Sequence, residues 1–288
     1  MIVVPEYPAF DTKTRFIEYE KSAGGQTASA MTALQRLGLK TAYAGRFGSD
    51  EDGRFGLRAI QYEGVNLDFV ETIDGADNQV AFIIIDTRSG ERTIIWDRDE
   101  RLSYRPDEAP VALASRGRIL HIDAHDPPAC AAMARAAHES GAIVTADIDN
   151  IYEGLPELLP LIDVLITSSA FPHRMTGISD ARASLVEMKA RYSSEIVGVT
   201  LGARGGLIYC EGVFIESPAF AVPGGCRDTT GAGDAFHAGF IYGMLRGEDL
   251  ETCMKLGNAV AALKCRGLGA RTALPTASEL KDFLGSQV

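Results

Sequence analysis

The chain has 288 residues, of which 46% are hydrophobic and 23% are charged, so it has ordinary globular composition and ample length for a large core. Its net charge of −11 and isoelectric point near 5.0 argue against a nucleic-acid partner, because such proteins carry a basic face. No apolar run approaches the roughly 18 residues that a membrane span needs, so we expect no membrane partner.

Two features of the sequence bear on the cellular location of the protein: its N-terminus and its cysteines. The opening residues, MIVVPEYPAFD, lack the basic segment followed by an apolar stretch that marks a secretory signal. The five cysteines are odd in number and show no CxxC spacing, which argues against a disulfide framework or a zinc cluster. We therefore expect the protein in a reducing cytoplasm.

Short β-rich runs alternate with helical patterns along most of the chain. The helical patterns cover residues 26–38, 127–141 and 179–193, and the strand-like runs cover 41–45, 119–123, 142–148, 163–168 and 196–202. Such alternation predicts an α/β fold with a mainly parallel sheet that is covered by helices on both faces.

One region breaks this alternation. Residues 78–97 form two apolar runs joined by a short polar turn that ends in glycine, which is a hairpin signal, and residues 12–20 alternate in the same way. Together they predict a small antiparallel sheet, formed by about 12–20 and 78–98, attached to the main one as a lid. No linker rich in proline, glycine or serine divides the chain, so we expect residues 1–288 to form a single domain.

The segment CRDTTGAGDAFHAGFIYGML, residues 226–245, places a carboxylate, Asp234, directly after a glycine turn and at the start of a helical pattern. The first N–H groups of a helix have no partner within the helix, and glycines at 231 and 233 would let them approach an anion closely. We expect Gly233 to need backbone freedom that a β-branched residue such as valine lacks. The motif alone leaves open that Asp234 only favours the helix dipole. Neither GxxxxGK[ST] nor GxGxxG is present.

The longer string DTTGAGDAFHAGF, residues 228–240, resembles the C-terminal signature of the ribokinase-like (PfkB) sugar kinases, D-T-x-G-A-G-D-x-F-x-x-G. Residues 24–66 are similar to the N-terminal pattern of that family, so the resemblance covers nearly the whole chain. It implies a three-layer α/β/α sandwich with a mostly parallel central sheet and a small β-sheet lid. It also implies an ATP- and magnesium-dependent carbohydrate kinase that forms a homodimer through the lid. A nucleoside kinase, or a catalytically weak sugar-binding or regulatory protein, remains an alternative.

The resemblance assigns roles to individual residues. Asp234 is the general base, and Gly231, Ala232 and Gly233 form the anion hole for the transferred phosphoryl group. The residues expected near ATP are Thr200, Gly202, Gly205 and Asn258, and those expected near the sugar are Gly24, Gly25, Ser29 and Asp123. A monovalent cation, potassium, is implied beside the anion hole, held by Asp228, Thr230, Gly267 and Gly269.

Three features depart from the family pattern or compete with it. An N-x-x-E motif linked to magnesium should fall at 168–171, where the residues are Ser-Ser-Ala-Phe. His121, Asp123 and His125 share one face if the strand continues through them, so a metal site competes there with a sugar-lining role. The family also opens with an apolar strand that ends in Asp. This chain aligns just after that Asp, so we expect a central strand to be absent, with residues 2–4 able to fill part of the slot.

Overall fold

The computed structural model describes residues 1–88 and 92–287. Its strands are β1 (Ile2–Val4), β2 (Glu18–Tyr19), β3 (Ala42–Gly48), β4 (Asn66–Ile73), β5 (Val80–Asp86), β6 (Arg92–Asp97), β7 (Ile119–Ile122), β8 (Ile143–Ile148), β9 (Val164–Ser168), β10 (Ile196–Thr200), β11 (Gly206–Cys210) and β12 (Val213–Ser217). Its helices are α1 (Gln26–Arg36), α2 (Glu51–Tyr62), α3 (Val111–Ala114), α4 (Pro127–Glu139), α5 (Leu155–Leu158), α6 (Phe171–Thr176), α7 (Ala181–Tyr192), α8 (Ala232–Arg246), α9 (Leu250–Lys264) and α10 (Ala277–Gly285).

The chain divides into two compact units. One comprises Met1–Leu102, Ala221–Ala232 and Ala261–Val288, and the other comprises Ser103–Phe220 and Gly233–Val260. We call them the first and the second unit. The expectation of a single domain stays a prediction.

The second unit is built on a six-stranded sheet with the order β12-β11-β10-β9-β8-β7. The four strands from β7 to β10 are parallel, and β11 and β12 continue the sheet antiparallel. Successive residues of β9 and β10 are buried, as expected for strands covered on both faces. The sequence-based prediction of an α/β fold with a mostly parallel sheet is confirmed.

Helices cover both faces of this sheet. Helices α4 and α7 contribute Ala134, Leu185 and Met188 to one core cluster with alternate residues of β8, β9 and β10. On the other face α8 and α9 pack closely, because a Cβ at Gly239 would lie 2.5 Å from the carbonyl oxygen of Leu256. The segment that carries Asp234 is therefore fixed between a sheet and a second helix.

The first unit contains the small sheet, with the order β2-β1-β5-β6, and the parallel pair β3-β4. Strands β5 and β6 form the predicted hairpin, although Ser89 and Gly90 of its connection lie outside the described residues. Of the predicted run 12–20, only Glu18–Tyr19 is a strand. The remainder makes no ladder there, so alternation of residue types overstated the strand.

Residues Ile2–Val4 belong to the small sheet, where β1 pairs parallel with β5 and antiparallel with β2. The suggestion that they fill a slot in the central sheet is therefore wrong. Within the described residues β7 pairs with β8 alone, and the absence of a central strand stays a prediction. Across the same residues, no helix is both long enough and apolar enough to cross a membrane.

Candidate active site

The glycine turn and the acid meet at the start of α8, as the sequence predicted. Helix α8 begins at Ala232 and carries Asp234 in its first turn, with the side chain largely buried. Gly231 has φ +79°, and a Cβ on it would lie 2.8 Å from the backbone of Ala270. Only glycine suits that position, since a side chain there meets both left-handed strain and a clash. The turn thus leads into a helix N-terminus, where the first N–H groups have no partner within the helix itself.

Gly233 has a different reason to be glycine. It lies inside α8 and is absent from the positive-φ residues, so the expectation that it needs special backbone freedom is wrong. The nearest neighbour of a Cβ built on Gly233 is Asp147 Oδ2, at 3.9 Å, which is an ordinary contact distance. The missing side chain instead leaves open space in front of the first turn of α8. A ligand can approach the backbone there.

A buried polar cluster lies beside this turn, formed by His121, Thr145, Asp147 and His237. His237, one turn after Asp234 on α8, places Nε2 3.4 Å from Asp147 Oδ1. The His121 and His237 rings are 5.2 Å apart between centroids, and His121 Nδ1 is 2.9 Å from Thr145 Oγ1. All four residues are buried. The cluster ties α8 to the carboxyl ends of β7 and β8.

The charges of this cluster follow from its pKa shifts. Burial alone would raise the pKa of Asp147, but the charge and hydrogen bond of His237 outweigh it, so the pKa is lowered. Asp147 and His237 therefore form a close buried pair. Burial, helped by the charge of His237, lowers the pKa of His121 to about 3. His121 is accordingly neutral in the folded protein, and no group of the described residues bonds its Nε2.

His121 predicts a loss of stability in mild acid. Its pKa is about 3 when folded and about 6.5 when unfolded, so the unfolded chain takes up the extra proton as pH falls below 6.5. We expect His121 to contribute about 2 kcal/mol of destabilisation between pH 7 and pH 5. Urea unfolding of His121→Asn should show a correspondingly shallower pH dependence. The control variant His173→Asn, at an exposed histidine, should keep the pH dependence of the wild type. If His121→Asn and His173→Asn showed the same pH dependence, the lowered pKa of His121 would be contradicted.

Asp123 lies just beyond the end of β7, as predicted, but the local geometry differs. Strand β7 ends at Ile122 and Ala124 has φ +59°, so His121, Asp123 and His125 do not share a strand face. Asp123 Oδ1 accepts from the backbone N–H of His125 and lies 3.4 Å from its Nδ1. Among the described residues, no group of three His, Cys, Asp or Glu side chains is placed to hold a metal ion.

Asp149, two residues beyond Asp147, adds a further acid at this edge. Burial and then the neighbouring charge of Asp147 raise the pKa of Asp149. With Asp123 they make the carboxyl ends of β7 and β8 an acidic region, which suits hydroxyl groups that donate hydrogen bonds.

In the first unit, the predicted sugar residues are organised by Arg271. Gly25 precedes α1 with φ +91°, and Ser29 is fully buried within α1. Arg271 Nη2 donates to the carbonyl oxygen of Gly24, and Arg271 Nε donates to Ser29 Oγ at 3.3 Å. The Ser29 hydroxyl thus holds an arginine of this chain.

The predicted cation residues gather around Asp228, which is buried. Asp228 Oδ1 accepts from the N–H of Thr230 and Oδ2 accepts from the N–H of Gly269, both at 2.8 Å. Lys264 Nζ donates to the carbonyl oxygen of Asp228. Gly267 packs against Ala273, where a Cβ would lie 2.8 Å from that side chain. The hydroxyl of Thr230 is buried and has no hydrogen-bond partner among the described residues.

Comparison with known proteins decides the family. The sequence profile of the pfkB family carbohydrate kinases matches residues 2–277. The chain belongs to this family. A sugar kinase from Archaeoglobus fulgidus, described as uncharacterized, is 35% identical over 252 residues, which cover 84% of this chain and 98% of its own. An ATP-dependent ribose-1-phosphate kinase from Halopiger xanaduensis is 28% identical over 99% of this chain and 94% of its own.

Solved structures of pfkB-type kinases show the same fold. A crystal structure from Agrobacterium tumefaciens, provisionally named a ribokinase, superposes with a TM-score of 0.90 at 27% identity, over 99% of this chain and 94% of its own. The Arabidopsis thaliana ribokinase, solved with ribose and ATP, gives a TM-score of 0.81 at 22% identity, over 98% of this chain and 94% of its own. The resemblance read from the GAGD string is therefore confirmed, and so is the carbohydrate kinase assignment.

The residues predicted near ATP have mostly internal contacts in this family member. Thr200 ends β10, and Gly202 begins the short turn that follows it. Gly205 has φ +93°, and a Cβ there would lie 2.0 Å from the Ser217 carbonyl oxygen, so the turn requires glycine for packing. Asn258 is buried and donates to the carbonyl and hydroxyl oxygens of Ser217, both at 3.0 Å. Their nucleotide roles stay predictions.

Sequence reasoning missed four residues that the structure brings to these sites: Asp147, His237, Lys264 and Arg271. Asp147 had a usable signal, because it lies near the end of a buried parallel strand next to the strand that leads to Asp123. Lys264 resembles an ordinary lysine in the last turn of a helix. The residues around His237 and Arg271 in the sequence do not indicate what these side chains contact, because their partners lie far away along the chain.

Proposed function

We propose that the protein transfers the γ-phosphoryl group of ATP to a hydroxyl of a small sugar or sugar derivative. The observation that carries this proposal is the position of Asp234 in the first turn of α8, directly after the strained turn at Gly231. A carboxylate that can accept a proton then lies at a helix N-terminus, whose positive end can cover negative charge. Family membership supports the reaction class.

In the proposed reaction Asp234 accepts the proton of the sugar hydroxyl as its oxygen bonds to the γ-phosphorus. The bond from that phosphorus to the β–γ bridging oxygen breaks, and ADP leaves with the electron pair. Phosphoryl transfer needs little covalent chemistry from the protein, so positioning and electrostatic cover are the main contributions. The contact between Asp147 and His237 supports the geometry, since His237 fixes the helix turn that follows Asp234.

Magnesium is proposed to enter with ATP. The family's N-x-x-E position offers only Ser168 and Ser169 as polar side chains, and Phe171 there is fully buried. Magnesium commonly uses one or two carboxylates together with substrate phosphates, so a preformed cage is unnecessary. Asp147, beside the first turn of α8, is the carboxylate that would contribute. When bound, magnesium neutralises phosphate charge.

The substrate is proposed to be neutral where it meets Asp123, because the acids at the ends of β7 and β8 repel an anionic group. Thermal shift with ATP and a panel of sugars, followed by measurement of ADP release, tests this. Neutral sugars should stabilise the protein and turn over. Stabilisation without turnover would favour a binding protein, and preference for a nucleoside would favour the alternative kinase. Preference for an acidic sugar over every neutral one would overturn the role of Asp123.

Gly233→Val should lower turnover strongly without much loss of stability. The added side chain fills the space in front of the first turn of α8, whereas the backbone at 233 needs no positive φ. We expect kcat/KM for ATP to fall at least about tenfold, because close approach of the phosphoryl group to the N–H groups is blocked. Gly285→Val in α10 is the matched control, because Gly285 also lies in a helix without a positive φ and a Cβ built on it meets no atom within 4 Å. Turnover unchanged in Gly233→Val would contradict the anion-hole role.

A homodimer through the small sheet is also proposed. Strands β5 and β6 expose Phe82, Ile94, Ile95 and Trp96, which are large apolar side chains on neighbouring strands. An exposed apolar sheet of this kind is typical of an interaction surface. Sedimentation velocity should give the mass of two chains, and Ile95→Lys should shift it toward one; a wild-type monomer at micromolar concentration would contradict the proposal.

A further inference from the structure

Lys264, the last residue of α9, is a lysine with no exposed surface. Its Nζ donates to the carbonyl oxygen of Asp228 at 2.8 Å and lies 3.7 Å from Asp228 Oδ2. Lysines are almost never fully buried unless they are paired with an acid, because removing an ammonium group from water is costly. The pair of Lys264 and Asp228 is therefore a specific structural feature of the first unit.

Asp228 in turn organises the approach to the helix mouth. It accepts hydrogen bonds from the N–H groups of Thr230 and Gly269, so it fixes the backbone of the segment that leads to Gly231. The N–H of the preceding residue, Arg227, donates to the carbonyl oxygen of Cys265, the residue after Lys264. The N–H of Asp228 also donates to the Cys265 carbonyl oxygen, at 3.5 Å, so one ammonium group and four backbone N–H groups hold the segment 227–230 in place.

This arrangement does not fit the potassium ion that family resemblance implied for Asp228, Thr230, Gly267 and Gly269. The single negative charge of Asp228 is already balanced by the Lys264 ammonium. The Asp228 carbonyl oxygen, of the kind that would ligate a cation, already accepts from that ammonium. A second cation against the same oxygens would meet the fixed positive charge at close range in a buried setting, where repulsion is strong.

We propose that Lys264 is an internal cation that replaces a monovalent metal ion, and that the enzyme is active without potassium. Lys264 acts as a positioning residue: through Asp228 it holds the segment before Gly231, so that the N–H groups of the helix mouth point at the phosphoryl group. The proposal rests on the proposed kinase function. A purely structural role as a lysine at a helix C-terminus would stabilise α9 but would create no response to added cations.

The first test uses the wild-type protein. Kinase activity and melting temperature are measured in potassium chloride and in tetramethylammonium chloride at equal ionic strength. We expect kcat and KM for ATP to differ by less than about twofold between the two salts, and the melting temperature to be the same, since the charge is supplied by the chain. Activation by potassium well beyond that range, or clear stabilisation by it, would overturn the proposal.

The second test removes the ammonium. Lys264→Met keeps the length and apolar stem of the side chain, and Lys255→Met, an exposed lysine of the same helix, is the matched control. In tetramethylammonium, kcat/KM for ATP should fall at least about tenfold for Lys264→Met, and potassium or ammonium should restore part of it because the ion can now occupy the vacated charge site. Lys255→Met should match the wild type. A loss that no cation restores would show a merely structural role.

The melting-temperature readout separates this proposal from the kinase assignment. Potassium should stabilise Lys264→Met but not the wild type, and this holds even if no sugar in the panel is phosphorylated. Absence of turnover under all conditions would therefore count against the proposed function alone. If Lys264→Met does not fold, the wild-type comparison of the two salts still decides: indifference supports the internal cation, and dependence on potassium refutes it.

Discussion

Asp234→Asn is expected to lower kcat by roughly 10² to 10⁴ while leaving the fold intact, because an amide cannot accept the proton of the attacking hydroxyl. Asparagine has nearly the same shape, so the first turn of α8 should keep its packing. The measurement is kcat and KM for ATP and sugar, with circular dichroism and melting temperature to verify the fold. KM should change much less than kcat, since the lost interaction belongs to the transition state.

The matched control for Asp234 is Glu251, which also lies in the first turn of a helix, α9, but is exposed. Glu251→Gln removes the same kind of charge near the same kind of helix end. If the carboxylate at 234 only favoured the helix dipole, both variants would lose a few tenths of a kcal/mol of stability and keep their activity. Asp234→Asn with more than about half of the wild-type kcat would therefore refute the general-base role.

His237→Leu should strongly destabilise the second unit. It leaves Asp147 buried without the positive charge that lowers its pKa. Leaving a buried charged group without its partner typically costs about 3–5 kcal/mol. Urea unfolding should show a lowered midpoint, and the melting temperature should fall by roughly 10 °C.

Two further variants decide whether the pair is the cause. In the double variant His237→Leu/Asp147→Leu, most of the lost stability should return, because no unpaired charge remains buried. The exposed pair of His138 and Asp163, with Nε2 3.0 Å from Oδ2, is the matched control. His138→Leu should cost less than about 1 kcal/mol. Equal losses at the buried and the exposed pair would mean that the contact of His237 with Asp147 contributes nothing beyond a surface contact.

Part of the candidate site could be predicted from local sequence. Gly231 and Asp234 could be placed at a helix mouth because left-handed turns, helix starts and unpaired N–H groups depend on neighbouring residues alone. Asp123 could be placed at the end of β7 for the same reason. The error at Gly233 has a physical cause: glycine can serve conformation or open space, and only the neighbouring atoms tell which.

The strands and helices of the second unit were also set by local pattern. Buried parallel strands are continuous apolar runs, which can be recognised in the sequence. Helix α4 begins at Pro127 and is followed by Gly141, so a few adjacent residues predict where it begins and ends. The small sheet was harder, since Ile2–Val4 pairs with β5, far along the chain. A run of three residues is too short for its hydrophobic pattern to predict a strand.

The sequence by itself determined the family, the alternation of strands and helices in the second unit, and the acid at the start of α8. Only the tertiary structure decided which buried polar groups are paired: Asp147 with His237, and Asp228 with Lys264. The reason is that the state of a buried charge depends on the partner and the solvent that surround it after folding. Local spacing fixes where a side chain lies on its own helix or strand, and only packing between distant segments fixes what that side chain meets.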